Sequence, residues 1–445
     1  GKTSNMNGLA IAAAELGKSV PEIGLTTFRP PYTPVTFGVY AGAARGLLFE
    51  PVRRTPMHAL AQAQGAVFED AGPWKRALAF PRADEDVHAA VARECRAVRS
   101  GVGMFDASTL GKIEVAGPDA AAFLDLIYVN DMSKLAPGKC RYGLMLNEQG
   151  FVMDDGVVAR LAPDRFHVTT TSSGAARVLQ HMEDYLQTEF PHLRVWLAST
   201  TEQWAVLALQ GPKAREVLAP LAPGADLSRE ALAHMAFRDV AVLGVPGRVF
   251  RVSFTGELGF EVNVPADHGP ALWEAARAAG EAHGIVAYGT ETMHVLRAEK
   301  GYVVVGQDTD GTVTPDDLGF GRAIPKAKRD FVGKRSLSRP DMTAPGRPQF
   351  VGLLPDDPAA VPDEGAQIVA EATQTPGAKA IGHVTSSYAS ATLGRSFCLG
   401  LVAGGRTRHG ETVHLTVATG TSLSTMPARI VDPVFHDKEG KRLDG

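Results

Sequence analysis

The stretch GFVMDDGVV, residues 150–158, sets two adjacent aspartates among apolar residues that favour a β-strand. Neighbouring residues of a strand point to opposite faces, so at most one of Asp154 and Asp155 can line a given cavity. Gly156 follows them directly and permits a bend or bulge that would aim one carboxylate at a site. Asp-Gly is also a common hairpin turn, and the residues alone favour a solvated turn over a functional carboxylate.

A second candidate carboxylate stands in the stretch SFTGELGFEV, residues 253–262. Thr-Gly-Glu within it predicts a tight turn between two strands that contain aromatic residues, and Glu261 falls on the returning strand. A glutamate beside aromatic faces could accept two parallel hydrogen bonds from an amidine-like heterocycle. An exposed strand glutamate is the simpler outcome, and the residues alone favour it.

The stretch YGTETMHVLRAEKGY, residues 288–302, predicts a helix that ends at Gly301 through a left-handed C-cap. Its alternating charges, which include Arg297 and Glu299, are typical of a solvated helix face. His234 and His294 have no second ligand at helical spacing, so no metal site is predicted. The sequence also contains no Walker A loop, serine nucleophile elbow or intact GxGxxG after a strand.

Composition excludes several classes of function. A formal net charge of −4 gives no overall attraction to nucleic acid or to an anionic membrane, which leaves small molecules and proteins as partners. No apolar run reaches the ~20 residues that a bilayer span needs. Cys95, Cys140 and Cys398 are widely spaced and form no CxxC pair, so neither a disulfide framework nor a thiolate metal cage is expected. These observations predict a protein of the reducing cytoplasm.

The 445 residues are enough for about two to three domains. Residues 1–50 are predicted to be a tail and linker, with a helix over about 7–16 and an extended, proline-rich connector at 28–35. The chain begins with Gly-Lys-Thr-Ser-Asn, which we interpret as the interior of a longer protein cut upstream.

Residues 51–345 alternate helical and strand patterns, which predicts mixed α+β layers. The clearest of these predicted elements are helices over 85–100 and 118–128 and strands over 112–115 and 166–171. Residues 346–445 contain short β-prone runs separated by Gly, Pro and Asp turns, a spacing typical of a small antiparallel barrel or sandwich.

Taken in order, segments spread over residues 51–434 resemble the aminomethyltransferase family of the glycine cleavage system. The matching segments are TPMH at 55–58, RSGVGMFDAS at 99–108, YGLMLNEQG at 142–150, the Asp pair, LQGP at 209–212, the Thr-Gly-Glu turn, RAEKG at 297–301, GQD at 306–308 and ATLG at 391–394. The resemblance implies an α+β, three-domain folate-binding fold around a central channel, with a C-terminal β-barrel domain.

The same resemblance implies roles for single residues. Asp155 corresponds to the family's conserved aspartate, and Tyr142 and Glu261 match positions that contact the folate. Two further positions that contact the ligand in the family have changed: Phe254 stands where tyrosine is usual, and Thr170 where asparagine is usual.

Met293 stands at a position where the family has an arginine that binds the tail of the folate. Together with Phe254, this change makes the lipoyl-arm chemistry of a free-standing aminomethyltransferase less expected than the folate chemistry of sarcosine- and dimethylglycine-oxidising enzymes. A non-catalytic, folate-binding regulator is a third reading. Relatives of that kind carry Lys-Gly-Cys-Tyr, whereas Lys300-Gly301-Tyr302 lacks the cysteine.

The amino-terminal segments at 1–12 and 22–32 resemble the joint of heterotetrameric sarcosine oxidase alpha subunits, which links a dinucleotide-binding half to the folate half. This implies NAD only in a missing upstream half, flavins on a partner subunit, and beta, gamma and delta subunits as partners. The implied reaction oxidises sarcosine to an imine on the beta subunit. Tetrahydrofolate then captures the one-carbon unit beside Asp155, giving methylenetetrahydrofolate and leaving glycine.

Overall fold

The computed structural model describes residues 6–23, 53–328, 330–373, 378–419 and 422–444. The chain divides into two compact units, residues 1–52 and 53–445. The first unit contains helix α1, Met6–Glu15, and helix α2, Val20–Ile23. Gly17 follows α1 with a φ of 61°, so the predicted helix and its glycine stop are confirmed. The predicted connector at 28–35 lies outside the described residues.

The second unit holds the remaining elements, in which helices and strands are interspersed. Its helices are α3 His58–Ala63, α4 Val87–Ser100, α5 Ala120–Ile127, α6 Ala175–Thr188, α7 Ala214–Leu218, α8 Gly269–Gly280 and α9 Thr290–Glu299. Its strands are β1 Val67–Ala71, β2 Trp74–Ala79, β3 Gly103–Asp106, β4 Gly111–Ala116, β5 Cys140–Leu146, β6 Val152–Ala162, β7 Arg165–Thr170, β8 Trp196–Ser199, β9 Trp204–Gln210, β10 Ala236–Val242, β11 Val245–Arg251, β12 Gly259–Pro265, β13 Val286–Ala287, β14 Pro348–Pro355, β15 Gln367–Val369, β16 Ala380–Ser390, β17 Arg395–Ala403, β18 Thr412–Thr419 and β19 Ser422–Val431.

Besides the two-stranded β1–β2 sheet, two larger sheets precede the carboxyl-terminal strands of this unit. The larger has the strand order β10-β11-β12-β9-β3-β13, and the smaller has the order β5-β6-β7-β4-β8. Neighbouring strands are antiparallel except for the pair of β13 and β3. Helix α4 packs its apolar stripe inward, with Cys95 and Val98 buried, and Asp86 caps its first turn by accepting a hydrogen bond from the Ala89 amide at 2.8 Å.

The carboxyl-terminal strands close into a barrel with the order β14-β17-β16-β15-β18-β19. Alternate residues of these strands, such as Val351 and Leu353 on β14, fill its interior. The α+β class and the terminal barrel are therefore confirmed, and the sandwich alternative is wrong. None of the helices in the described parts of the chain has the length and apolarity needed to cross a membrane.

The solvated turn that Asp-Gly predicts at 155–156 is wrong. Strand β6 runs through both residues, and Asp155 pairs with Leu144 and Gly156 with Gly143 on the neighbouring β5. A Cβ atom at position 156 would lie 1.9 Å from the Thr169 carbonyl oxygen on β7. Glycine is required here because the two strand backbones approach too closely for a side chain.

The solvated charges predicted on α9 are also wrong, because Arg297 and Glu299 are both 0% exposed. Arg297 forms an ion pair with Asp308 and donates a hydrogen bond of 2.7 Å to Ser386 on barrel strand β16. The predicted end of this helix is confirmed, since Gly301 has a φ of 72°.

We expect Arg297→Met to lower the free energy of unfolding by about 3–5 kcal/mol, because it leaves the buried Asp308 carboxylate without its cation. Urea unfolding followed by circular dichroism measures the change. Arg194→Met is the matched control: Arg194 is 69% exposed and pairs with Asp119 on the surface, so we expect a loss of less than about 1 kcal/mol. Equal losses in both variants would contradict a special role for the buried pair.

Candidate functional site

Strand alternation on β6 places the side chains of Asp154 and Asp155 on opposite faces of the sheet. Asp154 is 1% exposed, and its carboxylate accepts hydrogen bonds from the Asp155 amide at 2.8 Å, the Thr171 amide at 3.1 Å and the Thr171 hydroxyl at 2.9 Å. Arg177 lies 3.6 Å from the same carboxylate. These contacts fasten β6 to the end of β7, so Asp154 has a structural role.

Asp155 points to the other face of β6 and accepts a hydrogen bond of 2.7 Å from the Tyr142 hydroxyl. Burial raises the pKa of this carboxyl to about 7, although the Tyr142 hydrogen bond opposes the shift, and the charge of Asp154 adds to it. Burial and the Asp155 charge also raise the pKa of Tyr142 well above its ordinary value, so its hydroxyl stays protonated and donates. A carboxyl with a pKa near neutrality can both hold and release a proton at physiological pH.

A narrow cavity, the Glu261 cavity, lies between the facing surfaces of the two sheets. Its lining is Leu110, Lys112, Val157, His167 and Thr169 from the smaller sheet and the turn before it, and Val206, Phe250, Val252, Glu261 and Asn263 from the larger sheet and its β11–β12 loop. Val157 follows Asp155 by two residues and pairs with Tyr142, so all three side chains share one face of the sheet. The Asp155–Tyr142 pair and the cavity therefore lie on the same side of the smaller sheet.

Glu261 extends from β12 into this cavity. Within the described residues, its carboxylate has no hydrogen-bond or ion-pair partner. Burial raises its pKa to about 7, and the positive charge of Lys112 opposes that rise. Glu261 is half-buried, so the exposed strand glutamate that the residues alone favour is wrong, and its unpaired oxygens are open to a ligand or to water.

Lys112, on β4, is 1% exposed and faces the cavity. Its ammonium donates hydrogen bonds to the carbonyl oxygens of Ser108 at 2.9 Å and Leu110 at 2.8 Å. Burial lowers its pKa to about 8, while Asp106 and Glu261 act in the opposite direction. Lys112 therefore influences Glu261 through its charge, while its hydrogens hold the turn between β3 and β4.

The two altered family positions lie away from the cavity lining. Thr170 is 3% exposed, and its hydroxyl donates to the Thr171 carbonyl at 2.8 Å. It alternates with Thr169, which does line the cavity, so Thr170 faces the opposite side of β7. Phe254 lies in the loop between β11 and β12 and stacks on Tyr302 at a centroid distance of 6.0 Å.

Thr169, Lys112 and His167 line the cavity and are not among the site residues that the sequence predicted. The alternation of side chains along β7 was the signal available for Thr169, because Thr169 and Thr170 are adjacent and must face opposite sides of the sheet. His167 is 4% exposed and lies 5.4 Å from the Phe250 ring, and burial lowers its pKa to about 3, so it is neutral. Nothing in its sequence context distinguished it from a surface histidine.

Comparisons with known proteins identify the family. Residues 57–328 match the GCVT N-terminal domain, and residues 349–437 match the glycine cleavage T-protein C-terminal barrel domain. The chain belongs to this glycine cleavage T-protein, or aminomethyltransferase, family. Its structure also matches the glycine cleavage system aminomethyltransferase T of Bartonella henselae, with a TM-score of 0.74 and 25% identity, covering 87% of this chain and 99% of that one.

Two relatives narrow the comparison within the family. The whole chain is 51% identical to sarcosine oxidase subunit alpha of Corynebacterium sp. (strain P-1), and the chain spans 46% of that relative's length. It is 34% identical to an aminomethyltransferase of Streptomyces coelicolor over 79% of this chain and 89% of that protein. Residues 1–44 match the sarcosine oxidase A3 domain. The domain boundaries that the sequence predicts near residues 50 and 345 are not tested by these matches and stay predictions.

We expect Asp155→Asn to be more stable than the unchanged chain above pH 7 and equally stable near pH 4. The folded-state pKa of about 7 lies above the unfolded value of 3.8, so stability is lost as pH rises between these values. The difference at pH 8 should be about 2–4 kcal/mol. Urea unfolding at pH 4, 6 and 8 measures it, and a constant difference across that range would contradict the raised pKa.

Proposed function

We propose that this chain is the folate-dependent portion of a sarcosine oxidase alpha subunit, which transfers the one-carbon unit of oxidised sarcosine to tetrahydrofolate. One observation carries the proposal. The Asp155 carboxyl accepts a hydrogen bond from Tyr142, has a pKa raised to about 7, and lies on the cavity side of the smaller sheet. The identity of 51% with a sarcosine oxidase alpha subunit over the whole chain supports the choice within the family.

The side chains of the Glu261 cavity fit the chemistry of a pterin. A pterin presents adjacent N–H donors along its amino-amide edge, and the unpaired Glu261 carboxylate supplies two acceptor oxygens for them. Thr169 and Asn263 add hydrogen-bonding groups to the same lining, and Phe250 adds an aromatic surface for a planar ring. The cavity is narrow, so the lining side chains must move apart to admit the ring.

When bound, tetrahydrofolate supplies the nucleophilic nitrogen that captures the one-carbon unit. Asp155 accepts the proton that this nitrogen loses and places a negative charge beside the positive charge that develops. Tyr142 fixes the direction of the Asp155 carboxylate and keeps its own proton, since its pKa is far above neutrality. Glu261 binds and orients the ligand. The resemblance predicts Thr170 and Phe254 as ligand contacts, but neither lines the Glu261 cavity. Thr170 would act by positioning its neighbour Thr169, and Phe254 by positioning the β11–β12 loop.

The remaining assignments follow from the same proposal. Flavins belong to a partner subunit and NAD to an upstream half, and the partners are beta, gamma and delta subunits in the cytoplasm. The A3-domain match at residues 1–44 favours this assembly over a free-standing enzyme. An aminomethyltransferase acting on a lipoyl carrier is the second candidate, because the Streptomyces coelicolor relative is matched over 89% of its length.

The test separates binding from chemistry with two variants. We expect Glu261→Gln to weaken tetrahydrofolate binding at least tenfold in calorimetry, a loss of about 1.4 kcal/mol, because glutamine replaces one acceptor oxygen by a donor. We expect Asp155→Asn to bind tetrahydrofolate within a few-fold of the unchanged chain but to capture formaldehyde about 10²–10³ times more slowly, since the fixed charge is lost.

Asp164→Asn is the matched control, because Asp164 lies exposed in the turn between β6 and β7. It should leave both binding and capture unchanged. Failure of the intact chain to bind tetrahydrofolate would end the folate proposal. Equal capture rates for Asp155→Asn and the unchanged chain would remove Asp155 from the chemistry.

A further inference from the structure

A second narrow cavity, the Arg76 cavity, lies beneath the β1–β2 hairpin and beside α3. It shares no lining residue with the Glu261 cavity. Its lining is Thr55, His58, Ala61, Phe68, Lys75, Arg76, Ala77, Phe80, Phe105, Asp106, Thr109, Trp273 and Tyr288. Nothing in the proposed folate chemistry uses these side chains.

Three nitrogen atoms around this cavity are buried and have no hydrogen-bond partner among the described residues: His58 Nδ1, Arg76 Nε and Trp273 Nε1. Trp273 is 1% exposed and His58 is 9% exposed. Each unsatisfied polar atom in a protein interior costs free energy, so such atoms are rare and call for a cause. Arg76 Nε and Trp273 Nε1 can only donate, so these two indicate a missing hydrogen-bond acceptor, whereas His58 Nδ1 donates or accepts according to the tautomer of its ring.

The charge balance of the cavity points to an anion. In the part of the chain that the structure describes, no carboxylate forms an ion pair with Arg76, whose one side-chain hydrogen bond is a long contact of 3.5 Å to Ser172. Burial lowers the pKa of the guanidinium, and the negative charges of Glu69 and Asp106 oppose this only in part. Arg76 is half-buried, and its guanidinium lies 5.4 Å from the centre of the Phe105 ring, which supplies no full counter-charge. A cation that is largely shielded from water and has no counter-ion is unfavourable.

Asp106 does not serve as that counter-ion, because its hydrogen bonds go elsewhere. One of its oxygens accepts from the Thr55 hydroxyl at 2.5 Å and the other from the Ser108 amide at 3.0 Å. A single water could satisfy some of the unpaired nitrogens, but it would leave the charge of Arg76 uncompensated.

We propose that the Arg76 cavity binds a small carboxylate. Guanidinium groups pair with carboxylates through two parallel hydrogen bonds, and the indole N–H of Trp273 adds a third donor. The narrow cavity restricts the ligand to the size of formate, acetate or glycine. Asp106 lines the same cavity and would favour a ligand that also carries an ammonium group. Glycine is a candidate ligand because the reaction of the proposed function releases it, so this choice of ligand rests on the proposed function.

Calorimetric titration of the whole chain with acetate, formate and glycine tests the proposal, with acetamide as the neutral counterpart of acetate. We expect at least one of the carboxylates to bind and acetamide not to bind. Arg76→Gln should weaken carboxylate binding at least tenfold. The matched control is Arg82→Gln, which makes the same change at an exposed arginine nearby and should stay within twofold of the unchanged chain.

Trp273→Phe removes the indole N–H and retains an aromatic ring, and we expect it to weaken binding about three- to tenfold if Arg76→Gln does not fold. Tighter binding of glycine than of acetate would identify an amino acid as the ligand, and the reverse order a simple carboxylate. Absence of carboxylate binding, or equal binding of acetate and acetamide, would overturn the proposal and leave a water-filled cavity. Tetrahydrofolate binding, measured separately, shows whether the proposed function fails independently.

Discussion

The fold depends on a buried network of ion pairs centred on Arg99. This arginine, on α4, is paired with Glu257 at 2.8 Å and with Glu299 on α9 at 2.6 Å. Glu299 also accepts a hydrogen bond of 2.6 Å from Ser390 on barrel strand β16, and Arg442 near the carboxyl end pairs with Glu257 at 2.7 Å. One set of charges therefore joins the larger sheet, α9 and the barrel. Because Arg99, Glu257 and Glu299 are buried and paired, loss of any one of these three would leave an uncompensated charge inside the protein.

This network also determines where the site lies. Glu257 belongs to the loop that leads into β12, and β12 carries Glu261 into the cavity. On the opposite sheet, Asp154 fastens β6 to the end of β7 and so fixes the strand that carries Asp155. The two candidate carboxylates thus stand on rigid strands, each held by a neighbouring charged residue that does not itself face the cavity. Sites built on strands hold their geometry better than sites on loops.

Local patterns in the sequence predicted the elements well and their environment poorly. The apolar stripe of α4, the Gly301 cap and the β-prone runs of the barrel each depend on interactions within a few residues, so they could be read directly. How far Asp155, Arg297 and Glu261 are shielded from solvent depends on residues far away in the chain, such as Asp308 and Lys112, and no local pattern carries that information. The resemblance to the aminomethyltransferase family singled out Asp155, Tyr142 and Glu261 without any such local pattern. It also pointed to Thr170, whereas the neighbouring Thr169 lines the cavity.

Among the described residues, no cationic side chain contacts the Glu261 or Asp155 carboxylate directly. Lys112 lies close enough to Glu261 to lower its pKa, yet its hydrogens are donated to the carbonyl oxygens of Ser108 and Leu110. A direct ion pair would stabilise the folded protein, but it would occupy the oxygens of Glu261 that a ligand needs. Asp155 likewise accepts its contact from the neutral Tyr142 rather than from a cation, so its pKa stays near 7 instead of falling. Under the proposed function, the folding free energy that these two carboxylates forgo leaves Glu261 available to bind the ligand and Asp155 available to accept a proton.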